Sequence, residues 1–267
     1  MSGEESRLDL TLKAGDRLPS LFRTRSSLVA RGRKDVAAMF NDTKADTLAE
    51  TRRRAEEGYC EAQIELAESY YLGKGIDPDH SEAAKWFRRA AEQGHPGAQF
   101  CLGRLYDLGH GVSKDQIEGT RWLGMAAEQG NSEAQFNLGF AYYVGEGVQK
   151  DEAQAAHWFR EAADRNNPAG QHWLGLMYAH GPGVSQDRVE AYKWLHLAAT
   201  NNRESEYRTL SHETRDMLGD KLTAEQLAYA QRMATDDIES HRTAKEIHEK
   251  LSEMLRPPLS GGSPGSP

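Results

Sequence analysis

Apolar and small side chains recur through the middle of the chain at positions three and four apart, the spacing of one face of an α-helix. The whole pattern returns every 36 residues. Glycine-rich and polar stretches separate the helical stretches, so each period holds two helices joined by a turn. The chain is therefore predicted to fold as an array of helical hairpins in four consecutive blocks. These blocks are 58–93, 94–129, 130–165 and 166–201.

A Gly-x-Gly turn separates the two helices of each block. Glycine adopts the positive φ of a helix C-terminus without a steric clash, so the first helix is predicted to end there. The second helix is predicted to start at a capping aspartate, with Glu or Gln three residues later to complete a capping box. The glycines are Gly73 and Gly75, Gly109 and Gly111, Gly145 and Gly147, and Gly181 and Gly183. The capping pairs are Asp79 with Glu82, Asp115 with Glu118, Asp151 with Gln154, and Asp187 with Glu190.

Other recurrent positions have the character of packing positions. Large Tyr and Trp side chains return once per block and are expected to fill the space between helices. A small residue on the first helix, such as Gly139 or Gly175, predicts a close contact between two helices. A glutamine returns on the same face, and we expect its amide to satisfy backbone groups of a neighbouring turn. The glutamines are Gln63, Gln99, Gln135 and Gln171.

The recurrent residues together carry a family resemblance. From Ala134 to Asn166 the chain reads AQFNLGFAYYVGEGVQKDEAQAAHWFREAADRN, which resembles the Sel1-like repeat (SLR) family, relatives of the tetratricopeptide repeats. All four blocks share the resemblance. It implies an all-α fold, a right-handed α-solenoid, in a protein of bacterial type that binds other proteins in signalling or complex assembly. Departures from the motif are mild, and they are Ala67, Ile76, Gly119 and Asn166.

The segments that flank the four blocks are predicted to cap the array or to remain disordered. Residues 35–57 contain a degenerate second helix that lacks its Trp, which indicates an N-terminal cap. Residues 202–255 are predicted to form C-terminal capping helices. Residues 256–267 are rich in Pro, Gly and Ser, which is typical of a disordered tail. Two heptads within the C-terminal helices are too few to predict a coiled coil, and they consist of Ala244, Ile247, Leu251 and Met254.

The N-terminal segment 1–34 is basic, whereas the rest of the chain is acidic. It carries eight Lys and Arg against four acids, in a chain of net charge -8. We predict a poorly ordered arm that is either solvated or docked on an acidic partner, on lipid headgroups or on the acidic body of the chain. The overall charge argues against nucleic acid as a partner, because phosphates attract clustered Lys and Arg.

The sequence predicts a cytoplasmic protein without a membrane span. No apolar run approaches the roughly 20 residues that a span needs. The first residues include Glu4 and Glu5, where a secretory signal would be basic and then apolar. Cys60 and Cys101 are too few for a disulfide framework, and their places in neighbouring repeats predict two free thiols.

Residues that carry catalytic chemistry are sparse. The chain contains no G-x-S-x-G, phosphate-loop, H-E-x-x-H or C-x-x-C motif, and its Gly-x-Gly turns follow helices instead of strands. We therefore predict no enzyme activity, no cofactor and no metal site. The family resemblance leaves two alternatives, a β-lactam-hydrolysing or other enzyme of the cysteine-rich SLR type and an envelope-associated SLR protein. The cysteine count and the acidic N-terminus argue against them.

Partner binding is predicted on the first helices, at the fourth, eighth and eleventh residues of each block. These residues point away from the recurrent packing face, towards the concave groove of an SLR array, and they vary between blocks. Their character changes from acidic to aromatic, so we predict a protein or peptide with basic residues near the acids and an apolar anchor near the aromatic residues. Alternatively, Phe140, Trp173 and Leu176 pack under the C-terminal helices. The predicted contact residues are Glu65, Glu68, Arg104, Phe140, Trp173 and Leu176, together with Tyr143 near the edge of this stripe.

Overall fold

A computed structural model describes residues 47–200 and 206–254, and these residues contain eleven α-helices and no β-strand. The predicted arm 1–34 and the predicted tail 256–267 lie outside the described residues. The helices are α1 47–56, α2 Cys60–Leu72, α3 His80–Glu92, α4 Pro96–Leu108, α5 Gln116–Glu128, α6 Ser132–Val144, α7 Glu152–Asp164, α8 Pro168–His180, α9 Arg188–Thr200, α10 Glu206–Gly219 and α11 Ala224–Met254.

The chain divides into two compact units, Met1–Asp79 and His80–Pro267. The first unit contains α1 and α2, and the second contains α3 to α11. Within the second unit, α4 pairs with α5, α6 with α7 and α8 with α9, and each hairpin packs against the next in chain order. This is the all-α solenoid of helical hairpins that the sequence predicts. Helices α10 and α11, from the predicted capping segment 202–255, both pack on α9.

The turn after α6 shows why two glycines recur in each block. Gly145 ends the helix with φ 83°, and its N–H donates to the Ala141 carbonyl at 2.8 Å. Gly147 has φ 70°, and a side chain there would overlap Gln116 and Thr120 of the preceding hairpin. The first glycine therefore ends a helix, and the second allows the turn to pack against the neighbouring repeat.

The predicted capping boxes form only in part in the second unit. Asp115 caps α5 as predicted, because its Oδ1 accepts from the N–H groups of Ile117 at 3.1 Å and Glu118 at 3.0 Å. The reciprocal bond from the Glu118 side chain was predicted wrongly. The Asp115 N–H donates instead to the Tyr106 carbonyl at 2.9 Å, and a Glu118 carboxylate oxygen accepts from Trp122 Nε1 at 2.8 Å. Equivalent backbone bonds join Asp79 to Tyr70, Asp151 to Tyr142 and Asp187 to Tyr178.

The recurrent glutamines bind backbone carbonyls, as predicted. Each side-chain Nε2 donates to an alanine carbonyl eight residues earlier, at the end of the preceding helix. Carbonyls at helix ends lack a partner within their own helix, so these amides join one repeat to the next while satisfying buried polar groups. The bonds are Gln63 to Ala55 at 3.1 Å, Gln99 to Ala91 at 3.2 Å, Gln135 to Ala127 at 3.0 Å and Gln171 to Ala163 at 3.3 Å.

The predicted close helix contacts at Gly139 and Gly175 are confirmed. A Cβ built on Gly139 would lie 2.8 Å from a ring carbon of Phe159 on α7, and one on Gly175 would lie 2.7 Å from Leu195 on α9. Real side chains do not approach so closely, so the absence of a side chain sets the separation of the two helices in each hairpin.

Candidate protein-interaction surface

The predicted contact residues lie on the first helices of the hairpins, and we call this set of residues, taken separately in each unit, the first-helix face. In the first unit α2 supplies Glu65 and Glu68. In the second unit α4, α6 and α8 supply Arg104, Phe140, Tyr143, Trp173 and Leu176. The two parts are described in turn.

Glu65 and Glu68 form an acidic pair about one helical turn apart on α2. Glu65 is exposed and Glu68 is half-buried. Partial burial raises the pKa of Glu68, Lys74 opposes this shift, and the nearby Glu65 charge adds to it. A carboxylate that has lost part of its hydration gains from a nearby cation, so this pair can accept a basic side chain.

Arg104 belongs to the first-helix face, but its charge is already paired. Its side chain is largely buried, with the residue 7% exposed, and its Nη1 lies 2.7 Å from Asp107 Oδ2 on the same helix. The guanidinium is therefore already held by an acid of its own helix. A ligand carboxylate would have to displace Asp107 to bind it.

The aromatic residues gather around Trp173. This side chain is 8% exposed, and its ring lies edge-on to Phe140 at 5.5 Å and to Tyr143 at 5.2 Å. On the other side it stacks on Phe159 at 5.8 Å. The expected open anchor at Trp173 is therefore corrected, since its indole lies within the core. Phe140, Tyr143 and Leu176 are half-buried and retain accessible apolar surface.

Helix α10 covers residues that the sequence reasoning did not include. Tyr207 of α10 packs edge-on against Phe136 at 6.2 Å and lies 5.4 Å from the ring of His172. His172 Nδ1 is 2.8 Å from Ser211 Oγ, also on α10. Phe136 and His172 occupy the seventh position of their blocks, which held Phe100 in an earlier block. From the sequence, the change from an aromatic residue to His172 at this position could have indicated a polar neighbour.

The pair of His172 and Ser211 is structural and not a nucleophile with its base. His172 is 3% exposed and Ser211 is 0% exposed, so no substrate reaches the hydroxyl. Burial lowers the pKa of His172 to about 4, which keeps the imidazole neutral at physiological pH. A neutral ring forms one hydrogen bond to Ser211 and fixes α10 on α8.

The described residues offer little for other chemistry. No group of three or more His, Cys, Asp or Glu in residues 47–200 and 206–254 is arranged to hold a metal ion. Over the same residues no helix combines the length and apolar character that crossing a membrane requires. Cys60 and Cys101 form no disulfide, as predicted, and both are partly buried.

The fold and this surface define a helical-repeat protein with a side-chain surface of variable chemistry along its first helices. The sequence model of the Sel1 repeat matches residues 60–95, 96–131, 132–167 and 168–202, more than half of the chain. The chain belongs to the Sel1 repeat family. Proteins of this family are generally protein-interaction scaffolds.

The solved structures that are similar to this chain include two Sel1-like repeat proteins. A Sel1 repeat protein from Oxalobacter formigenes is 35% identical with a TM-score of 0.59, over 66% of this chain and 50% of its own. A protective antigen of uropathogenic Escherichia coli strains with an SLR fold is 30% identical with a TM-score of 0.50, over 82% of this chain and 53% of its own. The matched region thus spans about half the length of both proteins. Among curated protein sequences, none matches the chain significantly.

Proposed function

We propose that the chain is a non-enzymatic scaffold or adaptor that binds a peptide or protein partner on its first-helix face, in signalling or complex assembly. The observation that best supports this proposal is that Phe140 and Tyr143 are half-buried and pack against Trp173. Partly exposed aromatic rings that are already held by their neighbours lose little conformational freedom on binding. Such rings are the usual anchors of protein interfaces.

The charge of the partner is part of the proposal. Glu65 and Glu68 favour basic residues, and burial of Glu68 makes a matching cation more favourable. In the second unit, Phe140, Tyr143 and Leu176 favour an apolar side chain. Basic positions of a partner therefore suit the acidic pair of the first unit, and apolar positions suit the aromatic part of the second unit, each considered by itself.

The test uses the full chain to capture a partner, followed by affinity measurement with the purified partner. Tyr143→Ala and Leu176→Ala are expected to weaken binding by about tenfold or more, because hot-spot truncations cost at least that much. Tyr229→Ala is the matched control, since Tyr229 is an exposed aromatic residue on α11, a helix that contributes no residue to the first-helix face. Equal affinity for Tyr143→Ala, Leu176→Ala and the Tyr229→Ala control would contradict the proposal.

Trp173 is not suitable as a test of binding, although its sequence position predicts a contact with the partner. Trp173→Ala removes a buried ring with three aromatic contacts, so we expect a loss of about 3–5 kcal/mol in stability. Reduced partner binding by this variant would then report unfolding. Tyr143 and Leu176, which are half-buried, separate binding from stability more cleanly.

A cytoplasmic location, with no enzyme activity and no nucleic-acid partner, belongs to the same proposal. The alternative is an envelope-associated role, which is favoured by the description of one solved relative as a protective antigen. Cell fractionation separates the two, because an envelope fraction that retains the protein would support the alternative. Hydrolysis of a chromogenic β-lactam by the purified chain would contradict the non-enzymatic assignment.

A further inference from the structure

Arginine side chains bind three of the four recurrent tyrosines, and each arginine lies eighteen residues before its tyrosine. The guanidinium donates a hydrogen bond to the tyrosine hydroxyl. In the second unit it also lies over the ring, at 5.6 Å for Tyr106 and 5.5 Å for Tyr178. This pairing is therefore a regular feature of the repeat. The pairs are Arg52 with Tyr70 at 2.8 Å, Arg88 with Tyr106 at 2.5 Å, and Arg160 with Tyr178.

Tyr142 is the exception, because Gly124 occupies the position eighteen residues before it. Within residues 47–200 and 206–254, no side chain donates to the Tyr142 hydroxyl. Gly124 lies inside α5, and a Cβ built on it would meet no atom within 4 Å. The start of the path that an arginine side chain follows in the other repeats is therefore unobstructed here. We call Gly124 and the Tyr142 side chain the arginine slot.

The charge beside the slot suits a guanidinium. Glu128 lies one helical turn after Gly124 and is exposed. In the repeat of α7, the corresponding acid is Asp164, whose carboxylate interacts favourably with Arg160. Glu128 thus has the same relation to the empty position that Asp164 has to a filled one, so an incoming arginine finds an acid nearby.

The exposed face of α5 is also more apolar than that of its neighbour α7. Ile117 is 73% exposed and lies seven residues before Gly124, on the same side of the helix. Met125 is 37% exposed. The corresponding residues on α7 are Ala153 and Glu161. Apolar surface therefore flanks the slot where the equivalent helix has a small and a charged side chain.

We propose that the arginine slot binds an arginine side chain of a partner protein, with an apolar side chain of that partner against Ile117 and Met125. The planar guanidinium can lie over the Tyr142 ring and donate to its hydroxyl at the same time, as Arg88 and Arg160 do within the chain. An ammonium lacks this planar fork, so the slot discriminates against lysine. The inference is independent of binding on the first-helix face.

The probe is N-acetyl-L-argininamide, titrated into the full chain with isotope-labelled tyrosine rings and followed by NMR. Tyr142 ring resonances are expected to shift, whereas those of Tyr106 and Tyr178 shift much less because Arg88 and Arg160 occupy their sites. N-acetyl-L-lysinamide is the matched ligand. We expect arginine amide to bind about two- to fivefold more tightly, because an ammonium that donates to the Tyr142 hydroxyl loses the contact with the ring, and an exposed contact of that kind is worth about this factor.

Two variants make the test specific. Gly124→Arg supplies the missing side chain from within the chain, so the Tyr142 response should be lost. Arg160→Gly opens an equivalent slot at Tyr178, which should then respond to arginine amide. Circular dichroism verifies that both variants remain helical. The proposal is overturned if Tyr142 responds no more than Tyr106, if lysine amide binds as well, or if Gly124→Arg leaves the response unchanged.

Discussion

Replacing Gly139 with alanine should destabilise the protein although alanine favours helices. The added Cβ would lie 2.8 Å and 3.0 Å from two ring carbons of Phe159 and 3.2 Å from the Ala155 carbonyl oxygen. Phe159 is 0% exposed, so its ring has no free space to move into and α6 must shift away from α7. Overpacking of this kind costs about 1–3 kcal/mol, and the gain in helix propensity offsets about 1 kcal/mol. We expect a net loss of about 1 kcal/mol for Gly139→Ala and about 2 kcal/mol or more for Gly139→Leu.

Gly124→Ala is the control for this prediction. Gly124 is also inside a helix, but a Cβ there meets no atom within 4 Å, so only the propensity gain remains. This variant should be about 0.5–1 kcal/mol more stable than the native chain. Urea unfolding followed by circular dichroism measures all three variants, with the slope m verifying that each unfolds over the same surface. If Gly139→Ala proved as stable as Gly124→Ala, Gly139 would not mark a close helix contact.

Two further predictions concern buried polar groups. Burial lowers the folded-state pKa of His172 to about 4, below the ordinary value of about 6.5, so the unfolded chain takes up the proton first. The stability that the neutral His172 contributes is complete above pH 6.5 and falls by about 3 kcal/mol as the pH drops to 4. Urea unfolding of the His172→Gln variant across this pH range should lack that decline. If the variant shows the same pH dependence as the native chain, His172 is not its source. Gln99→Leu removes both the donor to the Ala91 carbonyl and the acceptor for Gln129 Nε2, and it should cost about 1–2 kcal/mol by the same assay, whereas unchanged stability would show that these two bonds add nothing.

Structural features that depend on residues within one repeat could be predicted from the sequence. Features that depend on contacts between several helices could not. The Gly-x-Gly turns and the contact at Gly139 follow from local conformation and residue size. The glutamine bonds follow from a buried amide that recurs on a packing face. The burial of Trp173 depends on Phe140 and Tyr143 from the preceding repeat, so its position on its own helix left open whether the ring is exposed or packed.

The capping boxes show a different limit of sequence reasoning. The motif supplies both partners for the reciprocal bond, but the Asp115 N–H already donates to the Tyr106 carbonyl at the end of the preceding helix. A carbonyl at a helix end has no partner in its own helix, so closing the hairpin satisfies two groups at once. Because the Glu118 carboxylate is released from capping, it can accept from Trp122.

A residue that departs from the repeat pattern has one of two physical meanings. They differ in whether another residue of the chain makes the contact that the usual residue would have made. His172 replaces an aromatic residue of earlier blocks, and Ser211 from α10 compensates it with a buried hydrogen bond. That break is therefore explained by how the array ends. Gly124 replaces an arginine, and within the described residues no side chain takes its place on the Tyr142 hydroxyl. Because α5 also exposes Ile117 there, the uncompensated break marks a surface left available to another molecule.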